Sequence, residues 1–413
     1  MGILKKVFEI IAKDKNTRAR AGILKTAHGE VETPVFLPVG SKGTVKTVRN
    51  DELKSWGVQM ILANTYHLWM QPGDDLIAGA GGLHKFMDWD APIFTDSGGF
   101  QIFSLGEKAQ RKIGPDEPVP FNVQVKESGV SFQTGSSGDK KELTPELSVQ
   151  IQNNLRSDVA LVLDEFPGYP FEHEKTKRAV ERTTRWARRA KEEFERLKKR
   201  KTHPGQSLLG IIQGAAFPDL RKKSAEGILA IGFDGYAIGG VAVGEPAKEM
   251  LRAIDVTVPF LEESKFRHLL GVGTPENIIQ AVARGCDSFD CVIPTREARH
   301  GRVYVSAFCN TPRSWSFAEE CGYQTLDIAH SRFKNDLSPL DKNCPCYACR
   351  NHTRAYLNHL FKSSEMLAIR LLTEHNLRFY LGLMVKIRKA IKESNFEKMV
   401  GNFKKGGLAN NAP

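Results

Sequence analysis

Short apolar runs recur along the chain and predict buried strands. Eight segments can be read in this way, at about 34–39, 59–63, 92–95, 159–163, 208–212, 234–238, 267–271 and 288–293. They are nearly continuous rather than alternating, as expected of parallel strands that are buried on both faces. Helical patterns lie between most of them, at 48–56, 145–156, 174–200, 217–230, 246–253 and 275–284. The alternation predicts an α/β fold, a (β/α)8 TIM barrel. A doubly wound open sheet is the alternative, but it gives no reason for eight strands.

Polar residues and glycines directly follow these strands. They are Gly40, Asn64, Asp96, Asp164 with Glu165, Gln213, Gly239 with Gly240, Gly271 and Asp290. In a barrel enzyme the active site lies at the carboxyl ends of the strands, so these residues are expected to meet in one pocket.

Asp96 and Asp290 stand out, because each ends an apolar run. Two glycines follow Asp96, whereas Pro294 and Arg296 follow Asp290, and Pro294 argues against a helix at that point. Two carboxylates at strand ends can serve as a nucleophile and a general acid/base. The simpler alternative is that each caps the next helix.

Three cysteines, Cys344, Cys346 and Cys349, lie within six residues, and 25 residues separate Cys349 from His375. Three thiolates and an imidazole form a closed tetrahedral zinc site, which is structural rather than catalytic. The stretch from Arg350 to Glu374 is expected to be mostly helical and to carry the chain to His375. His352 and His359 are rival ligands.

Two further features complete the predicted organisation. Segments 119–125 and 129–134 alternate around a turn, which predicts a β-hairpin inserted at about 106–142. We therefore expect a catalytic barrel at 1–340, a helical zinc-binding subdomain at 341–400 and a flexible tail at 401–413.

Composition narrows the class of protein. The net charge of +11 fits a polyanionic partner such as RNA, although the basic run 178–201 is better explained as a solvated helix face. Arg296 and Arg299, directly after a candidate catalytic strand, are the better candidates for phosphate contact. No long apolar run and no signal peptide are recognised, so we expect a cytoplasmic protein without a membrane span.

The segments FTDSGGFQ (94–101) and FDCVIPTR (289–296) resemble signature segments of the bacterial tRNA-guanine transglycosylases, or queuine tRNA-ribosyltransferases. The likeness extends from about Phe8 to about Tyr380. Further matching motifs follow in the family's order: NTYHL at 64–68, LDE at 163–165, QG at 213–214, GGVAVGE at 239–245 and the cysteine cluster.

The resemblance implies a function. Guanine at the wobble position of a tRNA anticodon is exchanged for a 7-deazaguanine in queuosine biosynthesis, with retention of configuration. Asp290 matches the family's nucleophile and Asp96 its general acid/base. The same resemblance supports one structural zinc per chain on the Cys3His set, and it suggests a homodimer in which one subunit helps to position the tRNA of the other.

The resemblance also suggests how the base is held. Asp164 would accept two hydrogen bonds from the N1–H and 2-amino edge, while Gln213, Ser97 and the Gly240 N–H would contact the six-oxo side. Phe100 and Leu270 would sandwich the ring. Glu245 is expected to be a buried acid that holds the Val241–Ala242 peptide beside the base, although its alternative role is that of an ordinary acid at a helix start.

Three positions depart from the bacterial pattern. Phe166 replaces the usual cysteine, Ile212 replaces a frequent glutamine, and the TREARHG segment after Pro294 differs from the commonest form. From side-chain volume, Phe166 is expected to favour 7-aminomethyl-7-deazaguanine over the larger queuine. The alternatives to a tRNA-modifying enzyme are a non-catalytic RNA-binding subunit, a transglycosylase acting on DNA, and a zinc-dependent barrel hydrolase.

Overall fold

The computed structural model describes residues 7–108, 120–134, 138–200, 203, 205–308 and 320–406. Parts of the predicted insertion (109–119 and 135–137) and of the predicted tail (407–413) lie outside the described residues. In chain order the strands are β1 Phe8–Lys13, β2 Arg20–Thr26, β3 Gly29–Thr33, β4 Val35–Gly40, β5 Ile61–Ala63, β6 Ile93–Thr95, β7 Phe121–Val125, β8 Val130–Thr134, β9 Asp139–Leu143, β10 Val159–Leu161, β11 Ser207–Ile212, β12 Gly235–Ile238, β13 Phe266–Leu269, β14 Ser288–Cys291, β15 Arg302–Phe308 and β16 Glu320–Asp327.

The helices follow the predicted alternation. They are α1 Asn50–Ser55, α2 Thr65–Met70, α3 Asp74–Gly79, α4 Leu83–Met87, α5 Gly99–Lys108, α6 Pro145–Leu155, α7 His173–Lys199, α8 Pro218–Leu229, α9 Ala247–Thr257, α10 Pro275–Ala283, α11 Ile293–Arg299, α12 Tyr347–Asn351, α13 Arg354–Lys362, α14 Met366–Lys392 and α15 Phe396–Gly406. Short 3-10 turns occur at Val258–Phe260 and Ser331–Phe333.

The eight predicted strands form a closed parallel barrel. The strands β4, β5, β6, β10, β11, β12, β13 and β14 follow one another around it, and β14 pairs with β4 to close it. Their apolar side chains are almost all buried because helices cover the outside, which explains the continuous apolar pattern. The barrel prediction is confirmed and the open-sheet alternative is wrong.

Several helices begin where the sequence places a threonine before a proline. Thr144 accepts a hydrogen bond from the Leu147 N–H at 3.1 Å, and Thr274 accepts one from Asn277 at 3.4 Å. In each case the proline occupies the first turn, where its missing N–H costs nothing. Pro294 does the same in α11, so the expectation that it prevents a helix was wrong.

The inserted hairpin is confirmed but is larger than predicted. Strands β7 and β8 pair as expected, and β9 adds a third antiparallel strand. Its sequence, DKKEL, is exposed except for its last residue and shows no apolar alternation, so the pattern gave no signal. Helix α7 supports this sheet: Arg185 forms two hydrogen bonds to Glu127, at 2.6 and 2.9 Å, and Trp186 Nε1 donates to the Glu127 carbonyl.

Two other sheets were not predicted. Strands β1–β3 form an antiparallel sheet before the barrel, and β15 pairs with β16 after it. The predicted helix from Arg350 to Glu374 is instead divided among α12, α13 and the first part of α14. Helix α15 extends to Gly406, so the segment after 400 does not begin as a tail.

Helix α14 joins the carboxyl-terminal region to the barrel. Its Tyr380, Leu383 and Met384 lie in the same buried cluster as Phe36 and Phe289 of the closing strands. The boundary at 340 therefore stays a prediction, because the two parts share a core. No helix in the described ranges combines the length and the apolar character needed to cross a membrane.

Candidate active site

The carboxyl ends of the barrel strands surround a cavity of about 580 Å³. Its lining includes most of the predicted site residues, which are Asp96, Phe100, Asp164, Gln213, Gly240, Val241, Leu270, Asp290 and Arg296. A second cavity of about 610 Å³ lies beside the cysteine cluster but is lined by none of the strand-end acids. The convergence expected from barrel geometry is therefore found in the first cavity.

Asp96 is held in place by four donors. Its Oδ1 accepts the N–H groups of Thr65 at 3.0 Å and Gly98 at 3.1 Å, and its Oδ2 accepts the side-chain amides of Asn64 at 2.5 Å and Gln101 at 2.9 Å. Gly98 has φ +83°, and a side chain there would press on the Tyr66 backbone, so only glycine suits this turn.

Burial is the main reason why the pKa of Asp96 rises to about 7, and the nearby negative charge of Asp290 adds to the shift. The hydrogen bonds from Thr65, Gly98 and Gln101 lower the pKa and oppose that rise only in part. A carboxyl group with this pKa can both give and take a proton near neutral pH, as a general acid/base must. The contact with the Gly98 N–H, one residue before α5, is of the local kind that the capping alternative predicts, whereas the contacts with Asn64 and Thr65 go beyond it.

Asp290 is fixed through one oxygen atom. Its Oδ1 accepts the Gly271 N–H at 3.0 Å and lies 3.1 Å from His268 Nε2. His268 is fully buried, and its Nδ1 lies 2.8 Å from the Ser288 hydroxyl, which fixes the orientation of the ring. Among the described residues, no hydrogen bond engages Oδ2. One oxygen is thus anchored while the other remains available for attack on an electrophilic carbon.

Asp164 and Gln213 form a polar pair on the cavity wall. The Gln213 side-chain amide donates to Asp164 Oδ2. Burial raises the pKa of Asp164 to about 6. Gln213 is only 1% exposed, and its Oε1 has no hydrogen-bond partner within the described ranges. An unsatisfied buried acceptor beside a carboxylate is typical of a site that awaits a ligand with donors.

The loop after β12 presents backbone groups to the cavity. Gly240 has φ +66°, and a Cβ there would collide with Gln213 Oε1. Glu245 accepts the N–H groups of Ala242 at 2.5 Å and Val243 at 2.9 Å, so it holds the Val241–Ala242 peptide as predicted. It is only half-buried, so the expectation of a buried acid was wrong.

Apolar side chains line the sides of the cavity. Phe100 is 47% exposed and Leu270 is partly buried, and both border it. Phe166 also borders it, and its ring meets that of Phe100 edge-on with centroids 5.8 Å apart. The residue that departs from the bacterial pattern therefore faces the cavity, next to the predicted stacking ring.

Two predicted residues do not border the cavity. Ser97 is only 4% exposed, and its Oγ accepts the Gly99 N–H at 3.4 Å, which matches its alternative role in local loop structure. Arg299 donates to the Thr295 carbonyl at 2.9 Å within its own helix. Arg296, by contrast, is exposed at the rim and is well placed to meet a phosphate group.

Sequence reasoning missed the residues that hold the two acids. Asn64 and Gln101 lie in the quoted motifs, so their positions beside Asp96 gave a signal that was not used. His268 gave none, because a histidine inside an apolar strand is more often a satisfied core residue. Only the pairing of β13 with β14, which sets His268 opposite Ser288, reveals its role.

The predicted metal ligands come together as expected. The ligand atoms of Cys344, Cys346, Cys349 and His375 lie within 4.8 Å of one another. The Nε2 of His375 donates to the Tyr304 carbonyl at 2.8 Å, which leaves Nδ1 facing the sulfur atoms. Three soft sulfur ligands and one imidazole suit a tetrahedral divalent ion and leave no open position for catalysis.

The rival histidines lie elsewhere. His352 stacks on Tyr356 with ring centroids 4.9 Å apart, and His359 is exposed on α13. Both therefore stay outside the four-residue cluster.

Comparisons with known proteins agree with this geometry. The family model described as "Queuine tRNA-ribosyltransferase" matches residues 14–406. The chain belongs to the queuine tRNA-ribosyltransferase family. A relative of that name from Halothermothrix orenii is 46% identical over 386 residues, which cover 94% of each chain. Relatives of the same name from Listeria innocua and Desulforamulus reducens are 46% and 47% identical to this chain. The matched regions cover 92% and 94% of those two proteins.

Family membership makes the chain a ribosyltransferase by class. The structure of this queuine tRNA-ribosyltransferase family member places both Asp96 and Asp290 in one cavity. Phe166, one of the three expected departures from the bacterial pattern, borders the same cavity.

We expect Asp164→Asn to weaken the binding of a guanine-type base by about 10- to 100-fold, because an amide donor would face donors on the base at a cost of about 1–3 kcal/mol. The wild-type affinity should also fall as the pH drops below about 6, where Asp164 becomes protonated and loses acceptor capacity. Calorimetric titration of the base between pH 5 and pH 8, about the range that spans this pKa, measures both effects.

The matched control is Glu165→Gln. Glu165 does not line the cavity and pairs with Arg182 at 2.5 Å, so its loss should leave the affinity unchanged at a pH well above the pKa of Asp164. The pH profile should move to slightly lower pH, because the negative charge of Glu165 adds to the raised pKa of Asp164. If Asp164→Asn retains the wild-type affinity and pH profile, Asp164 does not read the base.

Proposed function

We propose that the protein is a tRNA-guanine transglycosylase that exchanges guanine at the anticodon wobble position for a 7-deazaguanine in queuosine biosynthesis. The observation that carries this proposal is the placement of Asp96 and Asp290 in one cavity that also holds Asp164 and Gln213. Two carboxylates serve a double displacement, and the polar pair offers acceptors to a guanine-type edge. Family membership supports the same assignment.

The first displacement breaks the bond between guanine and the ribose. Positive charge develops on the ribose, and the free Oδ2 of Asp290 attacks its anomeric carbon from the face opposite the leaving base. The anchored Oδ1 keeps the carboxylate in position during this step. Asp96 supplies a proton to the departing guanine, as its raised pKa permits.

The second displacement restores the glycosidic bond. The incoming 7-deazaguanine occupies the same base site, and Asp96 accepts its proton while the ribose leaves Asp290. Two inversions at one carbon give net retention. No redox cofactor takes part in this scheme, because one glycosidic bond replaces another.

A non-catalytic RNA-binding role is less favoured, because both acids are present and both border the cavity. A zinc hydrolase is also less favoured, because the Cys3His cluster includes none of the strand-end acids. We further propose that the protein acts in the cytoplasm as a homodimer, which the family resemblance suggests.

We propose that the ion at the Cys3His cluster is a structural zinc. The helix that carries His375 also carries Asn376, which donates to the carbonyls of Pro294 and Arg302 at 3.0 Å. Tyr380 of the same helix donates to the Gly273 carbonyl at 2.6 Å. The zinc would thereby stabilise the segment that directly follows Asp290.

Purified protein should contain about one tightly held zinc per chain at this cluster, and Cys346→Ala should lose it and melt at a lower temperature, since a structural zinc contributes directly to folding. Metal analysis and thermal unfolding measure these effects. The control is Cys286→Ala, which removes another buried thiol and should keep the zinc. A Cys346→Ala protein with full zinc content and stability contradicts the structural role.

Asp290→Asn should lower exchange by at least about 1000-fold, because the amide is a poor nucleophile. Wild-type protein with tRNA and a slow incoming base should give a covalent protein–RNA band on a denaturing gel, and Asp290→Asn should give none. Affinity for tRNA should be largely kept, since phosphate contacts dominate it.

Asp255→Asn changes a surface acid paired with Arg284 and should keep the band, as the matched control. A band that persists in Asp290→Asn and disappears in Asp96→Asn would show that the two acids have the opposite roles. An anticodon hairpin and duplex DNA tested in parallel decide which nucleic acid is the substrate.

Phe166 should restrict the base site to compact 7-deazaguanines. We expect wild-type protein to prefer 7-aminomethyl-7-deazaguanine to queuine in kcat/KM, and Phe166→Cys to reduce that preference by roughly 10-fold or more as space is opened. The control is Phe171→Leu, which changes a nearby ring that packs on Tyr169. This variant should keep the wild-type preference for the compact base. Equal kcat/KM values for the two bases in wild-type protein would refute the size restriction.

A further inference from the structure

A second polar cluster lies at the opposite end of the barrel from the active site. Asp158 directly precedes β10, and its side chain is fully buried. Its Oδ2 accepts the N–H of Ile93, the first residue of β6, at 2.9 Å. Its Oδ1 accepts the N–H of His28, in the turn between β2 and β3, at 3.1 Å.

Part of this arrangement recurs around the barrel. Asp234 precedes β12 and accepts the Leu208 N–H at 2.9 Å, and Asp287 precedes β14 and accepts the Arg267 N–H at 2.8 Å. Each of these acids therefore satisfies a backbone donor on the neighbouring strand. That role explains why an acid occupies position 158, but it does not explain which groups surround it.

The two fully buried acids differ in how their charge is balanced. Asp287 pairs with Arg20, at 2.6 Å, and both side chains are almost completely buried. Asp158 has two histidines instead: His28 Nδ1 lies 2.8 Å from Oδ1, and His84 Nε2 lies 3.2 Å from Oδ2. A buried carboxylate needs a cationic partner, and an imidazole carries no permanent charge.

One nitrogen of each ring lies beside the Asp158 carboxylate. The rings of His28 and His84 stack with centroids 3.5 Å apart and an angle of 17° between their planes. One nitrogen of each ring and one oxygen of Asp158 all lie within 4.8 Å of one another. Three ligand atoms of the types that divalent transition metals prefer are thus gathered at one point.

Hydrogen bonding accounts for only part of this arrangement, since His28 Nδ1 is hydrogen-bonded to Asp158 Oδ1 at 2.8 Å whereas His84 lacks such a bond within the described part of the chain. The His84 side chain is 10% exposed, and its Nε2 has no hydrogen-bond partner among the described residues, although it is within ion-pair distance of Asp158. A buried ring nitrogen without a partner destabilises the folded protein. An ion between this nitrogen and the carboxylate would remove that destabilisation and supply the missing positive charge.

We propose that His28, His84 and Asp158 bind a second divalent metal ion, zinc, at the base of the barrel. Bonds of about 2.0–2.2 Å in a tetrahedral site separate neighbouring ligand atoms by about 3.3 Å. The observed nitrogen–oxygen separations are 2.8 Å to Oδ1 and 3.2 Å to Oδ2, which are close to that value. Because the two rings are stacked, they must rotate until both nitrogens face the ion. Water fills the fourth position, and His28, whose side chain is 33% exposed, leaves a route for the ion.

His203 lies next to the cluster but is engaged elsewhere. Its Nε2 bonds to the Ser157 carbonyl at 3.0 Å. The site therefore consists of two histidines and one acid. Because these residues come from the β2–β3 turn, from α4 and from the start of β10, the ion ties the first sheet to the base of the barrel.

The test is zinc binding by the full-length protein and by His28→Gln and His84→Gln. After equilibrium dialysis against free Zn²⁺, metal analysis should find two zinc ions per wild-type chain and one in each variant. Calorimetry should show that the affinity of the second site for zinc falls by at least about 10-fold in each variant. Loss of a residue that only supports a metal ligand already lowers metal affinity by about that factor, so loss of a ligand should lower it at least as much. Zn²⁺ should raise the melting temperature of wild-type protein more than that of either variant.

Three controls make the result decisive. His173→Gln removes an exposed histidine paired with Asp219 and should still bind two zinc ions. If a variant still holds one zinc ion at the Cys3His cluster, it is folded. Co²⁺ at the second site should give weak visible bands without the thiolate charge-transfer absorption of the cysteine site. A wild-type protein that binds only one zinc, or variants that bind two with wild-type affinity, would overturn the proposal.

Discussion

The barrel depends on one closing contact, the parallel pairing of β14 with β4. These strands are separated by most of the chain, yet Ser288 pairs with Val35 and Asp290 pairs with Leu37. The buried ion pair between Arg20 and Asp287 lies at this seam and joins the first sheet to it. Without closure, Asp290 would stand at the edge of an open sheet, and the pocket between it and Asp96 would not exist.

Closure also sets the electrostatics of the site. Burial raises the pKa of Asp96 to about 7 and that of Asp164 to about 6, each from the ordinary value of 3.8. The supporting groups then distinguish the two acids. Asp96 is surrounded by four donors that fix its position, whereas Asp164 has one side-chain donor and stays open to a ligand.

The carboxyl ends of the barrel strands carry the candidate active site, whereas the amino ends contribute to stability, as is usual for this architecture. Asp96, Asp164 and Asp290 follow strands and border the cavity. Asp234 and Asp287 precede strands at the other end of the barrel, where each accepts a backbone N–H of the neighbouring strand. Asp158 belongs to the second group but is surrounded by histidines rather than by a permanent cation. An aspartate that follows a barrel strand and one that precedes it therefore have different roles, the first in the cavity and the second in the stability of the barrel.

The apolar runs alone determined the barrel, because strands buried on both faces need continuous apolar sequence. The spacing of Cys344, Cys346 and Cys349 determined the metal cluster, since soft ligands rarely gather without an ion. The surface-exposed strand β9 and the division into α12, α13 and α14 escaped prediction, because exposed elements carry little periodic signal. Only the tertiary structure decided that His268 supports Asp290, that Ser97 lies behind the cavity and that Phe166 faces it. These are contacts between residues distant in the chain, and local sequence cannot specify which side chains meet when strands pair and a barrel closes.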